Sequence, residues 1–295
     1  MKNLSSLVAL GVLLSGPVAG QNSANLPTIS ALTTAARLRT VQQARVPLGE
    51  AGSTFLHSEG PSSYQRALSA LGEAGEAFDE MFEAVLYRGT LPAELKMAMG
   101  LRIAQRHSSP YVTVHLSRML QATGRGRELL LLLQTGRSEG PRENRTGLAL
   151  EYALLLTNSI HGVENAEFRK VRSWFTDSEI VELTLTTCFF NYFTRFAETL
   201  RLPVEHWALE TKFGGPRGGL DVPQARVSLL TDPVLQAATN LTASTASQPQ
   251  RGGLGLRSPA NSMRAMMLCP EIAQAWRNYW GKVRTASKID PELNL

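Results

Sequence analysis

From residue 63 onward, apolar positions recur every three or four residues, and no run alternates with a period of two. Leu68, Leu71, Ala74, Phe78, Phe82 and Val85 line one face of a helix predicted over Ser63 to Leu86, with Gly89 beyond its end. Thr90-Leu91-Pro92 opens a second helix: threonine caps free amides and proline is tolerated in a first turn. That helix runs through Leu95, Met99 and Ile103 to about Gln105. Ser109-Pro110 repeats the start signal for a helix from Pro110 to Ala122, stopped by Thr123-Gly124. Arg127 to Gln134 and Thr146 to Thr157 read as further helices. Thr176-Asp177-Ser178-Glu179 is a capping box opening a long helix to about Leu200. A shorter helical stretch lies around Ile29 to Arg45. The pattern is all-α, with the short connections of a helical bundle.

The first twenty residues are of another kind. Lys2 is followed by a short apolar run, Leu7 to Leu14, then by Ser15-Gly16-Pro17 and the small residues Val18-Ala19-Gly20. This is the pattern of a secretory signal peptide cleaved after Gly20, so a secreted or periplasmic protein is expected. The run is too short to anchor the chain, and no later stretch approaches the roughly 18 apolar residues of a spanning helix, so no membrane contact is expected after cleavage. Residues 21–60 form a Ser/Thr/Gly/Pro-rich extension, 61–210 the helical domain, 211–257 a Gly/Ser/Thr-rich linker and 258–295 a C-terminal helical extension. The glycine-rich stretch 214–219 lacks the ending of a phosphate loop and reads as a turn.

The extension carries an internal echo. Pro61, Arg66, Ala67, Glu73, Ala77, Phe78 and Phe82 recur at an offset of 198 as Pro259, Arg264, Ala265, Glu271, Ala275, Trp276 and Trp280. Residues 44–48 recur at 225–229, and Leu91 to Leu95 has an echo in Asp290 to Leu293. The reading is a partial duplication of the domain's leading helix; the alternative is chance likeness between two amphipathic helices.

Composition narrows the chemistry. The chain of 295 residues is 43% hydrophobic and 19% charged, as globular proteins are. Its net charge of +5 is spread thinly. The clusters Arg125/Arg127 and Arg169/Lys170/Arg172 have Glu128, Glu167 and Asp177 beside them, so a solvated basic surface is read rather than a nucleic-acid site. The only two cysteines are Cys188 and Cys269. They can pair in an oxidising compartment, but make no disulfide framework. His57, His107, His115, His161 and His206 are scattered, so neither a metal site nor a cofactor is expected. Asn144 and Asn240 begin glycosylation sequons that matter only in a host that glycosylates.

Residues 91–122 (LPAELKMAMGLRIAQRHSSPYVTVHLSRMLQA) and 176–205 (TDSEIVELTLTTCFFNYFTRFAETLRLPVE) resemble the core hairpin and closing helix of the carboxymuconolactone decarboxylase family, which includes the alkylhydroperoxidase D-like proteins. The resemblance covers about residues 64–210. It implies a helical carboxymuconolactone decarboxylase-like domain, a small-molecule substrate and a homo-oligomer. Redox members carry Cys-x-x-Cys at the start of the second hairpin helix, a histidine one turn on and a glutamate on the preceding helix. Here those cysteine positions are Ser109 and Val112, and the histidine is His115. The glutamate position falls near Met97, with Glu94 one turn earlier. A helix N-terminus activates a thiol but cannot ionise a serine hydroxyl, so thiol peroxidase chemistry by the family's route is not expected.

The resemblance implies catalytic roles for His115, Ser109 and Glu94. Each has a plainer reading: Ser109 before Pro110 is a helix N-cap, and His115 is a hydrogen-bonded core residue. His107 on the connecting turn is a substrate-binding candidate or an exposed loop histidine. Thr187, Asn191 and Arg195 form an i, i+4, i+8 stripe, with Arg195 suited to holding a carboxylate; equally, the stripe is a solvated face. Three functions follow: a cofactor-independent lyase or isomerase on a small organic acid, a non-catalytic binding or scaffold protein on the enzyme fold, and a residual thiol-dependent antioxidant.

Overall fold

Side-chain caps set most of the helix starts. The computed structural model describes residues 26–40, 43–46, 48–49, 60–135, 144–159, 163–209 and 265–286. Among these the regular structure is helical throughout: α1 (Ile29–Leu38), α2 (Ser63–Leu68), α3 (Glu73–Tyr87), α4 (Ala93–Arg106), α5 (Pro110–Gln121), α6 (Gly126–Thr135), α7 (Arg145–Asn158), α8 (Asn165–Arg172), α9 (Asp177–Leu200) and α10 (Pro270–Ala286). Short 3-10 turns follow α2 and α9. The Thr28, Ser109, Asn144 and Thr176 side chains accept amide hydrogen bonds at the starts of α1, α5, α7 and α9. Thr176 and Glu179 complete the expected capping box.

Two expected starts differ. The helix predicted from Ser63 to Leu86 is broken, because Gly72 takes φ +54° and ends α2 and its 3-10 turn before α3 begins. Thr90 does not cap α4. Pro92 is at the cap, while the Thr90 amide and hydroxyl are turned to Glu182 at 2.8 and 3.1 Å. The stretch expected around Ile29 to Arg45 is helical to Leu38. The signal peptide, the linker, Asn240 and the echoes at 225–229 and 290–293 lie outside the described residues.

The core forms around α4, whose residues from Leu95 to Gln105 are all buried and which packs on α5, α7 and α9. A Cβ at Gly100 would lie 2.7 Å from Leu116 Cδ1 and 2.8 Å from Phe190 Cε2, so glycine lets α4, α5 and α9 meet closely. Tyr64, Phe78, Phe82, Phe189 and Phe193 pack ring on ring, with Phe82 and Phe189 centroids 4.9 Å apart. Each buried phenylalanine contributes roughly 1.5–3 kcal/mol, so this cluster is the main attachment of α3 to α9. α10 packs chiefly on α3.

One ion pair lies wholly inside. Lys96 Nζ is 2.7 Å from Glu182 Oε1, with both side chains 0% exposed. Lys96 also donates to the Arg88 carbonyl at 2.6 Å. Glu182 accepts from the Leu91 amide at 3.2 Å as well as from Thr90. Burial lowers the Lys96 pKa, opposed by the Glu182 charge. Gly89 has φ +92°, and a Cβ there would lie 2.6 Å from the Glu182 carboxyl group. The sequence signalled this glycine only as a helix end.

Cys188 and Cys269 are both free thiols, one exposed and one buried. Burial and the nearby Glu182 charge push Cys269 up to about 11. Cys188 is also raised, through partial desolvation among its neighbours. No helix among the described residues is long and apolar enough to cross a membrane.

Candidate functional site

Glu205 gathers a chemically varied cluster of side chains. α9 ends at Arg201 in the left-handed conformation, φ +52°, which turns the chain so that Leu202 and Val204 enter the core. The following acid is thereby carried back against α5. His115 Nε2 lies 2.9 Å from Glu205 Oε2, and the Tyr111 hydroxyl donates to Oε1 at 3.1 Å. The Ser63 amide donates to the same Oε1. Tyr111 and His115 are four residues apart on α5, so both face the carboxylate, with ring centroids 4.6 Å apart.

A second row of polar groups supports this cluster. The Tyr64 amide donates to the Tyr111 oxygen at 3.2 Å, and the Tyr64 hydroxyl donates to Asp79 Oδ1 at 2.7 Å. Gln65 Nε2 donates to Asp79 Oδ2 at 2.7 Å, and its carbonyl oxygen accepts from the Ser62 amide at 2.9 Å. Trp207 closes the other side, edge-on to His115 at 5.6 Å, with the Arg118 guanidinium 5.7 Å from the same ring centre. His115 is 2% exposed by side chain and Glu205 11%, so the carboxylate is the member of the pair nearer to solvent.

The electrostatics follow from that packing. Burial alone would raise the Glu205 carboxyl; the His115 charge and the His115 and Ser63 hydrogen bonds outweigh it and hold the group below its usual range. Tyr111 is pushed well above an ordinary phenol by burial and then by the Glu205 charge. Tyr64 is raised in the same way, by burial and then by Asp79. Glu205 therefore stays ionised at neutral pH while both phenols keep their protons.

Ser109 belongs elsewhere. Its oxygen caps the Val112 amide at 3.4 Å, and its hydroxyl donates to Glu198 Oε1 at 2.6 Å. Arg39 Nη1 reaches both oxygens of Glu198, at 2.8 and 2.7 Å. His107 Nδ1 lies 2.6 Å from the Thr194 hydroxyl oxygen, and burial, then the Arg195 and Arg106 charges, lowers its pKa. Arg195 itself is exposed. Asn191 Nδ2 donates to the Thr157 hydroxyl oxygen and to the Thr187 carbonyl, both at 2.9 Å. Glu94 stands half-buried in the first turn of α4.

The predicted site residues thus fall into separate places. Ser109 caps α5 and His115 lies within it, but they bond to different acids, Glu198 and Glu205. Sequence reasoning missed both acids, along with Arg39 and the Tyr111 contact. Glu205 had a faint signal, since it follows the Leu-Pro exit of the closing helix, but nothing in its spacing aims it at His115. Among the described residues, no group of three or more His, Cys, Asp or Glu is placed to hold a metal ion.

No family model matches the sequence, and no curated protein matches it either. The structure is similar to that of an alkylhydroperoxidase AhpD core, an uncharacterized peroxidase-related protein from Ralstonia eutropha JMP134. The two are 17% identical, with a TM-score of 0.45 over 62% of this chain and 92% of that one.

Proposed function

We propose that this chain is an exported, cofactor-independent acid–base catalyst of the lyase or isomerase kind, acting on a small organic acid. The observation that carries the reading is the 2.9 Å contact between His115 and a carboxylate held by the Ser63 amide and the Tyr111 hydroxyl. A carboxylate fixed in this way orients an imidazole and shares a proton with it. Glu205, the more exposed partner, exchanges that proton with substrate, while Tyr111 and Trp207 shield the pair from water. Arg118, whose guanidinium lies 5.7 Å from the Trp207 ring centre, is placed better than the exposed Arg195 to hold a substrate carboxylate beside the pair.

The test is proton exchange and carbon dioxide release with a panel of small carboxylic acids in deuterated water. Turnover that falls at least a hundredfold in both His115→Ala and Glu205→Gln, in line with general acid–base contributions of roughly 10²–10⁴, supports the reading. Unchanged turnover in either variant rejects it.

A second reading, a non-catalytic binding protein on the same fold, is favoured by the 1% exposure of His115. Saturable binding of an acid from the panel without exchange or decarboxylation selects it. The antioxidant alternative has little support, since both thiols are unpaired and raised.

A further inference from the structure

The helix α10 sits on α3, and the two are equivalent under the 198-residue offset of the internal echo. That offset places α10, Pro270–Ala286, over residues 72–88, within one residue of the bounds of α3, Glu73–Tyr87. The buried stripe matches too. Ile272, Trp276, Tyr279 and Val283 pack inward on α10, and their equivalents Ala74, Phe78, Met81 and Val85 are buried on α3.

The contacts between the helices run in opposite directions. Lys282 Nζ is 3.9 Å from Glu73 Oε2, the Tyr279 and Phe78 rings are 5.5 Å apart, and Asn278 Nδ2 donates to Glu80 Oε2 at 2.8 Å. Asn278 is itself the equivalent of Glu80. Two equivalent helices packed antiparallel, with one position facing its own counterpart, form the geometry of a twofold axis. In a homodimer this is an isologous contact, where the residue on the axis meets itself across the interface.

The other face of the repeat behaves differently. Phe82 is buried against Phe189, Phe190 and Phe193 of α9, whereas its equivalent Trp280 is 37% exposed and meets α9 at the Tyr192 ring, 6.0 Å away.

We propose that the α3–α10 pair is a dimer-type contact closed within one chain: the seat of α10 is a self-association site for the α3 of a second copy, and α10 keeps it filled. Filling the seat from the same chain opposes association through this face, whatever other faces do.

The test uses full-length chain with Cys188 and Cys269 changed to Ser. Glu80→Cys with Asn278→Cys is expected to form a disulfide within one chain; disulfide-linked pairs of chains instead would overturn closure in one chain. Tyr279→Asp, which drives α10 from its seat, is expected to double the mass by light scattering. In that background Glu80→Cys is expected to cross-link to its own counterpart, and Glu73→Cys, away from the axis, is not. A chain that keeps its helical circular dichroism yet stays monomeric and uncross-linked refutes the proposal. If Tyr279→Asp unfolds, Tyr279→Ala gives the same readouts with no buried charge, and a monomer there refutes it equally.

Discussion

The Lys96–Glu182 and His115–Glu205 pairs are both base–carboxylate contacts, at 2.7 and 2.9 Å, yet their surroundings make them different devices. The first is sealed, and its remaining partners belong to residues 88–91: an Arg88 carbonyl, two amides and a Thr90 hydroxyl. Such partners fix the path of the chain. The second reaches the surface through Glu205 and is surrounded by aromatic rings and a phenol. The Ser63 amide ties this carboxylate to the chain as well, but the rings and the phenol govern where a proton resides. The identity of the neighbours, more than the distance, separates a clamp from a site.

The largest test of this contrast is Lys96→Met. Leaving Glu182 buried without its counter-ion is expected to cost about 3–5 kcal/mol in chemical denaturation. Adding Glu182→Gln should restore part of that loss, since the uncompensated charge is then gone while an oxygen remains to accept from the Thr90 and Leu91 amides. A loss below about 1 kcal/mol, typical of surface pairs, would remove the distinction between the two regions. Gly89→Ala is next: its positive φ carries a strain of about 1–3 kcal/mol for a residue with a side chain, and the new Cβ displaces the carboxylate as well. Ser109→Ala is expected to lose about 1 kcal/mol as a helix cap, with no change in the pH dependence that belongs to Glu205.

The smallest effect is a change of slope rather than of level. Glu205 is held below its unfolded value, so the stability it contributes is complete above the unfolded glutamate pKa of about 4.3 and is lost as pH falls through the folded value. Glu205→Gln removes that part of the acid dependence, and denaturation midpoints from pH 6 downward should fall less steeply than in the wild type. Parallel curves would place Glu205 among the purely structural groups.

Much of the fold was legible because periodicity and caps are local. The Ser109-Pro110 start and the Thr176–Glu179 box each fit within about one turn, the apolar spacing on α3 within about three, and the structure keeps all three. What failed was equally physical. Gly72 breaks the α2–α3 stretch through its backbone angle, which apolar periodicity does not register. Thr90 looks like a cap in isolation, but a carboxylate 92 residues away takes its groups instead. The site was half legible: His115 was singled out, while Glu205 enters through a left-handed turn at Arg201 that no spacing rule foretells.

The reach of Glu182 also bears on how the molecule opens and closes. The Thr90 and Leu91 amides are held by a helix that comes 92 and 91 residues later in the chain. Until that late helix arrives, the joint ahead of α4 has no latch. Once it has docked, these two loop protons share its fate, and in hydrogen exchange they should persist with the slow amides of the long helix rather than wash out with ordinary connecting turns.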